Sequence, residues 1–506
     1  GRTSPASTST GCAGSVNLPT VSETKKKKAH PWRENIEAIT VSIIVIVLFK
    51  YFVLEAYKIP TGSMQPTLMG NGKTGIHDRI LVDKWSYQLR DPERWEVAVF
   101  RYPLDRSKNY VKRIVGVGPE DFRVHNGDLW RRDDASQPWQ ILRRPRHVQA
   151  ETWLAMEKAD PDDPLFFGTN DQSWTAGRDV TVDGDFRMRF GRGKSSVRDG
   201  YRDGYPDSLK DEMPASARGS GSHPVADLRV DGSLTVDAGV HEVRVEIQEG
   251  SFRYHLVLPG PAAPAGDVAR IEARMAVNTG PGVTPFVADA ASAGLRLEAS
   301  RTYDFAAHNL DDLVELFVDG ELVCELEVEP SNMGGGLLYV ETRGGRTEFE
   351  DLMVYRDIFY TNDTALVSET HIPEGHYFMM GDNTLDSADS RMWQMHHLEV
   401  LGEDGETTLL HGNHRSSGNS SSSQSDFAND VNPLVSSLGS PDLVQTTWFR
   451  DEWGELRTYP TAETRSGRPM TTIEPFVPRH MMLGRAISVF WPLKPLQGIW
   501  RFKKVD

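Results

Sequence analysis

The first patterned stretch of the chain is apolar and has no period. Residues 36–54 run almost unbroken in Ile, Val, Leu and Phe, interrupted by Glu37 near the start and Lys50 near the end. At 1.5 Å per residue, about 19 residues nearly match a hydrocarbon core of roughly 30 Å, so the segment 34–56 is predicted to be a single transmembrane helix. A cleavable leader would have a shorter apolar stretch and then small residues, whereas Tyr51, Phe52, Tyr57 and Lys58 follow here. Beyond this segment the pattern changes to alternation, the mark of half-buried strands. Residues 78–87, 97–100 and 109–116 read as strands; in the last, Tyr110, Lys112 and Ile114 share one face while Val111, Arg113 and Val115 share the other. The same alternation recurs between about 160 and 360, at Phe186, Met188 and Phe190, at Val243, Val245 and Ile247, and at Phe252, Tyr254 and Leu256. Val314, Leu316 and Val318 then reach an Asp319-Gly320 turn and continue as Leu322, Cys324, Leu326 and Val328, the pattern of an antiparallel sandwich. The expected class is mainly β.

Charge sharpens the topology. The chain has 506 residues, with 56 Lys and Arg against 72 Asp and Glu, a net charge of −16 that argues against a general nucleic-acid binder. Residues 1–33 nevertheless carry six basic side chains, including the lysines at 25–28, against the single acid Glu23. This Ser- and Thr-rich stretch is predicted to be a disordered cytoplasmic tail, with the bulk of the chain exported across a cell membrane. The length calls for two or three units, and a mean hydropathy of −0.45 excludes a polytopic membrane protein. Cys12 and Cys324 lie on opposite sides of the predicted anchor, so no disulfide is expected and no Cys-based zinc site is available. Residues 412–440, rich in Ser, Asn and Gly, read as a mobile loop, and His396, His397, His411 and His414 as exposed loop residues with no metal-ligand spacing. No metal and no cofactor is expected.

Candidate chemistry begins just after the anchor. Pro60 and Pro66 bracket Gly62-Ser63, so the serine stands on a constrained, turning backbone that suits a nucleophile and equally suits a plain loop. No Gly-x-Ser-x-Gly elbow surrounds it, which argues against an α/β-hydrolase. Lys112 on its strand is either an edge-strand solubiliser or a partly buried amine with a hydroxyl to deprotonate.

Four segments in order resemble the type I signal peptidase family, in its bacterial and organellar branch: Ser63-Met-Gln-Pro-Thr-Leu68 after an anchor, Asp78-Arg-Ile-Leu-Val-Asp-Lys84, Val111-Lys-Arg-Ile-Val-Gly116, and Gly381-Asp-Asn383 followed by Ser387-Ala-Asp-Ser-Arg391. A fifth, Leu483-Gly-Arg-Ala-Ile-Ser-Val-Phe-Trp-Pro492, is similar to that family's closing strand. The resemblance implies a membrane-anchored serine endopeptidase that removes signal peptides from secretory preproteins after small residues at −1 and −3. It implies Ser63 as nucleophile, Lys112 as general base, Ser387 orienting the amine, and Thr61 with the Ser63 N–H holding the oxyanion. Arg113, Asp382, Asp389 and Arg391 fall at supporting positions. Ile59, Pro60, Met64, Asn109, Tyr110 and Val111 are the expected substrate-binding residues. A free lysine near pKa 10.4 would have to fall by about 2 to 3 units for this chemistry, at a cost of roughly 3 to 4 kcal/mol.

The departures are Gly118-Pro119, where the family has Pro before Gly, His77 for a Gly, and Thr384 for an Arg. The predicted organisation is a tail at 1–33, the anchor at 34–56, a catalytic domain at 57–159 and 361–506, and an inserted sandwich at 160–360. The insertion is faintly similar to a concanavalin-type jelly roll, a candidate binder of protein or carbohydrate. Two other readings were weighed: an inactive anchored β-sandwich binding module on a peptidase scaffold, and a self-cleaving Ser/Lys repressor, which would carry a DNA-reading domain where this chain has its anchor.

Overall fold

The computed structural model describes residues 31–71, 76–156, 164–169, 174–191, 196–200, 221–275, 286–292, 294–330, 335–363, 365–402, 405–413, 446–460, 470–491, 493–494, 499–500 and 502–505. The expected tail, Cys12, His414 and most of the Ser-rich loop lie outside them. Two units are present, Gly1–Phe52 and Val53–Asp506. In the first, one helix spans Pro31–Phe52 with Lys50 in its last turn. Its apolar side chains from Ile36 to Phe49 are all exposed, Ile46 at 64%. Among the described residues no helix is long and apolar enough to cross a membrane. The predicted end of the segment is also corrected, because Leu54–Lys58 is a strand that pairs with Arg79–Asp83.

The second unit is built on an antiparallel sheet in the order Leu54–Lys58, Arg79–Asp83, Met482–Trp491, Val97–Tyr102, Asp105–Val117, His376–Met380, Phe476–Pro478, with Lys503–Lys504 on the edge of Met482–Trp491. Lys112 therefore sits on an internal strand, between Val97–Tyr102 and His376–Met380. The edge-strand reading of this lysine is excluded. The alternation read from residues 109–116 holds, since Ile114 packs with Tyr102, Met379 and Trp393 on one face and Val115 with Phe122 and Phe378 on the other. The strand expected over 78–87 stops at Asp83, whose carboxylate accepts the N–H groups of Trp85 (2.9 Å) and Ser86 (3.1 Å) and starts a short helix, Ser86–Leu89. A four-stranded sheet, Glu369–Ile372, Glu120–His125, Asp128–Arg132 and Gln140–Ile141, adjoins.

Residues 154–356 form two further antiparallel sheets, one seven-stranded and one eight-stranded, around a single apolar core. Val243, Val245 and Ile247 of one sheet meet Val314, Leu316 and Val318 of the other in that core. The Asp319-Gly320 turn has φ of 50° and 81°, the left-handed pair that closes a two-residue hairpin. Leu322 departs from the expected alternation and is exposed, because a register shift after Leu316 turns it outward before Cys324 returns to the core. Cys324 is buried, and its thiol donates to the Ala269 carbonyl at 3.4 Å. The sandwich also starts earlier than expected, since Leu154–Ala155 already pairs with Arg346–Arg356. A five-stranded sheet then carries Gln394–Leu401 against Thr407–Asn413, so His396, His397 and His411 are strand residues rather than loop residues.

Candidate active site

The segment after the first unit is held as a closed loop. The Ile59 N–H donates to the Asp78 carbonyl (2.9 Å), the Asp78 N–H to the Met69 carbonyl (2.8 Å), and the Met69 N–H to Asp78 Oδ2 (2.7 Å). Gly70 closes it without a side chain, since a Cβ there would stand 2.4 Å from the Thr61 carbonyl oxygen. His77, one of the departures, faces the Ile59 carbonyl through Nδ1 at 3.0 Å. On this loop Ser63 is 4% exposed, and Lys112, reaching over from its internal strand, is 1% exposed. Lys112 Nζ lies 2.6 Å from Ser63 Oγ. Thr61 Oγ1 lies 3.5 Å from the same oxygen.

The run after His376–Met380 completes the surroundings. Asn383 donates its Nδ2 to the Gly62 carbonyl and its backbone N–H to the Ser63 carbonyl, both at 3.1 Å, and so holds the serine from behind. A Cβ on Gly381 would come within 2.2 Å of Ser387 Oγ and 2.4 Å of the Ser63 carbonyl oxygen, which brings Ser387 beside the serine loop. Ser387 Oγ is buried without a hydrogen-bond partner among the described residues, so the expected contact with the Lys112 amine is not formed. Thr384, another departure, is buried and donates to the Phe359 carbonyl at 2.6 Å. The Gly118 N–H donates to the His376 carbonyl at 2.9 Å, and the residue passes so close to Pro373 that a Cβ would meet its carbonyl oxygen at 1.9 Å.

Two buried ion pairs brace this arrangement. Arg113 holds Asp382 through Nε–Oδ1 and Nη2–Oδ2, both 2.9 Å, and donates Nη1 to the Trp95 carbonyl at 2.7 Å. Thr67, from the serine loop, donates to the same carboxylate at 2.5 Å. Arg391 holds Asp389 in the same two-pronged way at 2.8 Å, and Asp389 Oδ2 accepts the Gly381 N–H at 3.1 Å. Burial alone would lift both carboxyls. The facing guanidiniums and their bonds overcome it and hold both below the ordinary carboxylate range, helped at Asp389 by the charge of Lys112. Of the residues expected to bind substrate, Ile59 and Met64 are buried in the core beneath the loop, Pro60 and Asn109 are exposed, Val111 is half-buried, and Tyr110 stacks on Tyr102 at 4.1 Å.

The family model for signal peptidase, peptidase S26, matches residues 32–187 and 327–405. A probable signal peptidase I-2 from Synechocystis is 39% identical over 120 residues, 22% of this chain and 52% of that one. The signal peptidase I of Pseudomonas fluorescens is 38% identical over 98 residues (17% and 32%), and that of Pseudomonas aeruginosa 32% identical over 123 residues (22% and 41%). Over these residues the chain is similar to the S26 signal peptidases. It spans about half or less of the length of these relatives. The S26 match leaves residues 188–326 uncovered, and these fall within the sandwich. Among solved structures a carbohydrate binding module from Bacillus subtilis aligns with 38% of this chain and 97% of its own at 11% identity, with a TM-score of 0.24. Within the S26 site, the positioning parts missed from the sequence are Asp78, Thr67 and Asn383. All three stand inside the matched motifs, and the Asn of Gly381-Asp-Asn383 is the available signal.

Proposed function

We propose that the chain is a serine endopeptidase that removes signal peptides from exported preproteins, with Ser63 as nucleophile and Lys112 as general base. The observation that carries this reading is the 2.6 Å approach of Lys112 Nζ to Ser63 Oγ between two buried side chains. Ser63 Oγ attacks the scissile carbonyl carbon while Lys112 takes its proton. The oxyanion is met by the Thr61 hydroxyl and the Ser63 N–H. The tetrahedral species collapses to an acyl-enzyme, and the leaving amine receives the proton from Lys112. Water, deprotonated by the same amine, then hydrolyses the ester and frees Ser63. Ser387, buried beside the serine and lacking a partner, is the group to hold the Lys112 amine once substrate is seated. The exposed Asn109 and Pro60 and the half-buried Tyr110 and Val111 offer an extended edge for the substrate chain, with small pockets selecting small residues at −1 and −3.

Membrane attachment belongs to the same reading. The helix Pro31–Phe52 has 22 residues, about 33 Å in length, and its Ile and Val side chains face outward in a continuous apolar surface. Lipid is the solvent that would cover it, and it would hold the enzyme in the plane of its membrane-inserted substrates. The domain limits 57–159, 160–360 and 361–506 stand as part of this proposal, with the start of the sandwich moved to 154.

The test is cleavage of a preprotein bearing an Ala-x-Ala site by the full chain and by its Ser63→Ala and Lys112→Ala variants. Each variant is expected to lose at least about 10³-fold in kcat/KM while melting within a few degrees of the parent. Retained cleavage in either variant sinks the assignment.

A further inference from the structure

A group of carboxylates collects where the hairpin 120–132 meets the sandwich. Asp128 follows the Asn126-Gly127 turn, where φ is 55° and 97°. Asp227 immediately precedes the strand Leu228–Val236, and Asp311 lies in the turn between Thr302–Leu310 and Leu313–Val318. One oxygen from each of the three lies within 4.8 Å of the other two. That is the span of ligands around one calcium ion, whose opposite oxygens stand about 4.8 Å apart at bonds of roughly 2.4 Å.

The carboxylates are poorly compensated. Arg144 gives its Nη1 to Asp357 at 2.7 and 2.9 Å, and Arg143 spends Nη2 on Glu327 at 2.9 Å and Nε on the Asp311 carbonyl at 2.9 Å. Asp312 and Glu249 add further negative charge nearby. Asp311 is 5% exposed, and its Oδ2 has no hydrogen-bond partner among the described residues. A buried acceptor without a donor costs roughly 1–3 kcal/mol, and a cation bound at this oxygen removes that cost. Asp128 and Asp227 are only half-buried, which leaves an entry path from solvent.

We infer that Asp128, Asp227 and Asp311 bind a calcium ion that ties the hairpin 120–132 to the inserted sandwich. All three ligands are hard oxygens and no His or Cys joins them, which disfavours zinc and copper. Magnesium demands a tighter octahedron at about 2.0–2.1 Å and gives up its water reluctantly. An exported domain would meet calcium at concentrations suited to a site with a Kd of about 10⁻⁴–10⁻³ M. Nothing in the inference depends on peptide cleavage.

The experiment is calorimetric titration of the chelator-stripped full chain with calcium chloride at pH 8, with thermal melts in calcium, in magnesium and in chelator. The expected result is one calcium per chain and a Tm raised by at least about 3 °C at saturation, with a smaller rise in equal magnesium. Asp227→Asn and Asp311→Asn should each weaken binding by at least tenfold yet melt in chelator no lower than the parent, because each removes an unpaired charge. That last readout separates lost binding from lost folding. The absence of calcium binding in the parent overturns the inference, as does undiminished binding in both variants.

Discussion

Ser63 and Lys112 stand 49 residues apart in the chain and 2.6 Å apart in space. Their chemistry tolerates little substitution. Lys112→Arg keeps the positive charge but supplies a group that does not deprotonate in proteins, so it should be as inactive in preprotein cleavage as Lys112→Ala. Asn383 makes no contact with the reacting atoms and acts by holding the Gly62 and Ser63 carbonyls. Asn383→Ala should therefore lower kcat about tenfold, with KM and Tm nearly unchanged, in steady-state kinetics and a melt. Asp382 and Asp389 set an acid limit. Their folded-state carboxyls are held below the ordinary range, so the stability they contribute is present above the unfolded value near about 3.9 and is lost as pH falls through the folded one. Denaturant unfolding followed downward from neutral pH should show stability falling below about pH 4. Asp382→Asn should weaken that fall and cost about 3–5 kcal/mol at neutral pH, because Arg113 is left buried and unpaired.

At the scale of elements, the parts legible in the sequence were those where one periodicity ruled. The sandwich strands Ala269–Met275 and Gly336–Arg343 alternate cleanly because each has one apolar face on a core, and the Asp319-Gly320 turn announces its own geometry. Local polar chemistry defeated the pattern elsewhere. Asp83 ends its strand by capping the next turn, and Leu322 is displaced by a register shift that no run of residue types reveals. The strand Gln394–Leu401 was missed because only Leu398 and Val400 are buried on it, too few to mark a period beside three histidines and a Ser-rich neighbour. In the site, the motifs located Ser63, Lys112 and the two ion pairs, while the partnerless state of Ser387 is a matter of side-chain placement and invisible to spacing. Gly381 offers an element-scale test. Gly381→Ala forces the turn after His376–Met380 away from the serine loop, so cleavage should fall by at least about tenfold, whereas Gly405→Ala, in a turn with open space around it, should leave kcat/KM near the parent value.

At the scale of the whole molecule, the S26 match and the sandwich divide the chain unequally, and the sheet carrying Lys112 is assembled from both ends of the second unit. Protease added outside inverted inner-membrane vesicles is expected to remove only the N-terminal tail and spare residues beyond 57; digestion of the larger part would overturn the proposed orientation. The way the sandwich is attached carries a further consequence. Leu154 pairs with Arg356 across neighbouring antiparallel strands, so the chain leaves and returns at points about one strand spacing, 4.8 Å, apart. A gene shortened to join residue 153 to residue 357 through two or three glycines would close without moving either end; Arg144 would keep Asp357, while Arg143 and Arg146 would lose Glu327 and Glu315. The geometry of that junction is that of a cassette, one that recombination could add or drop between two neighbouring points of the chain.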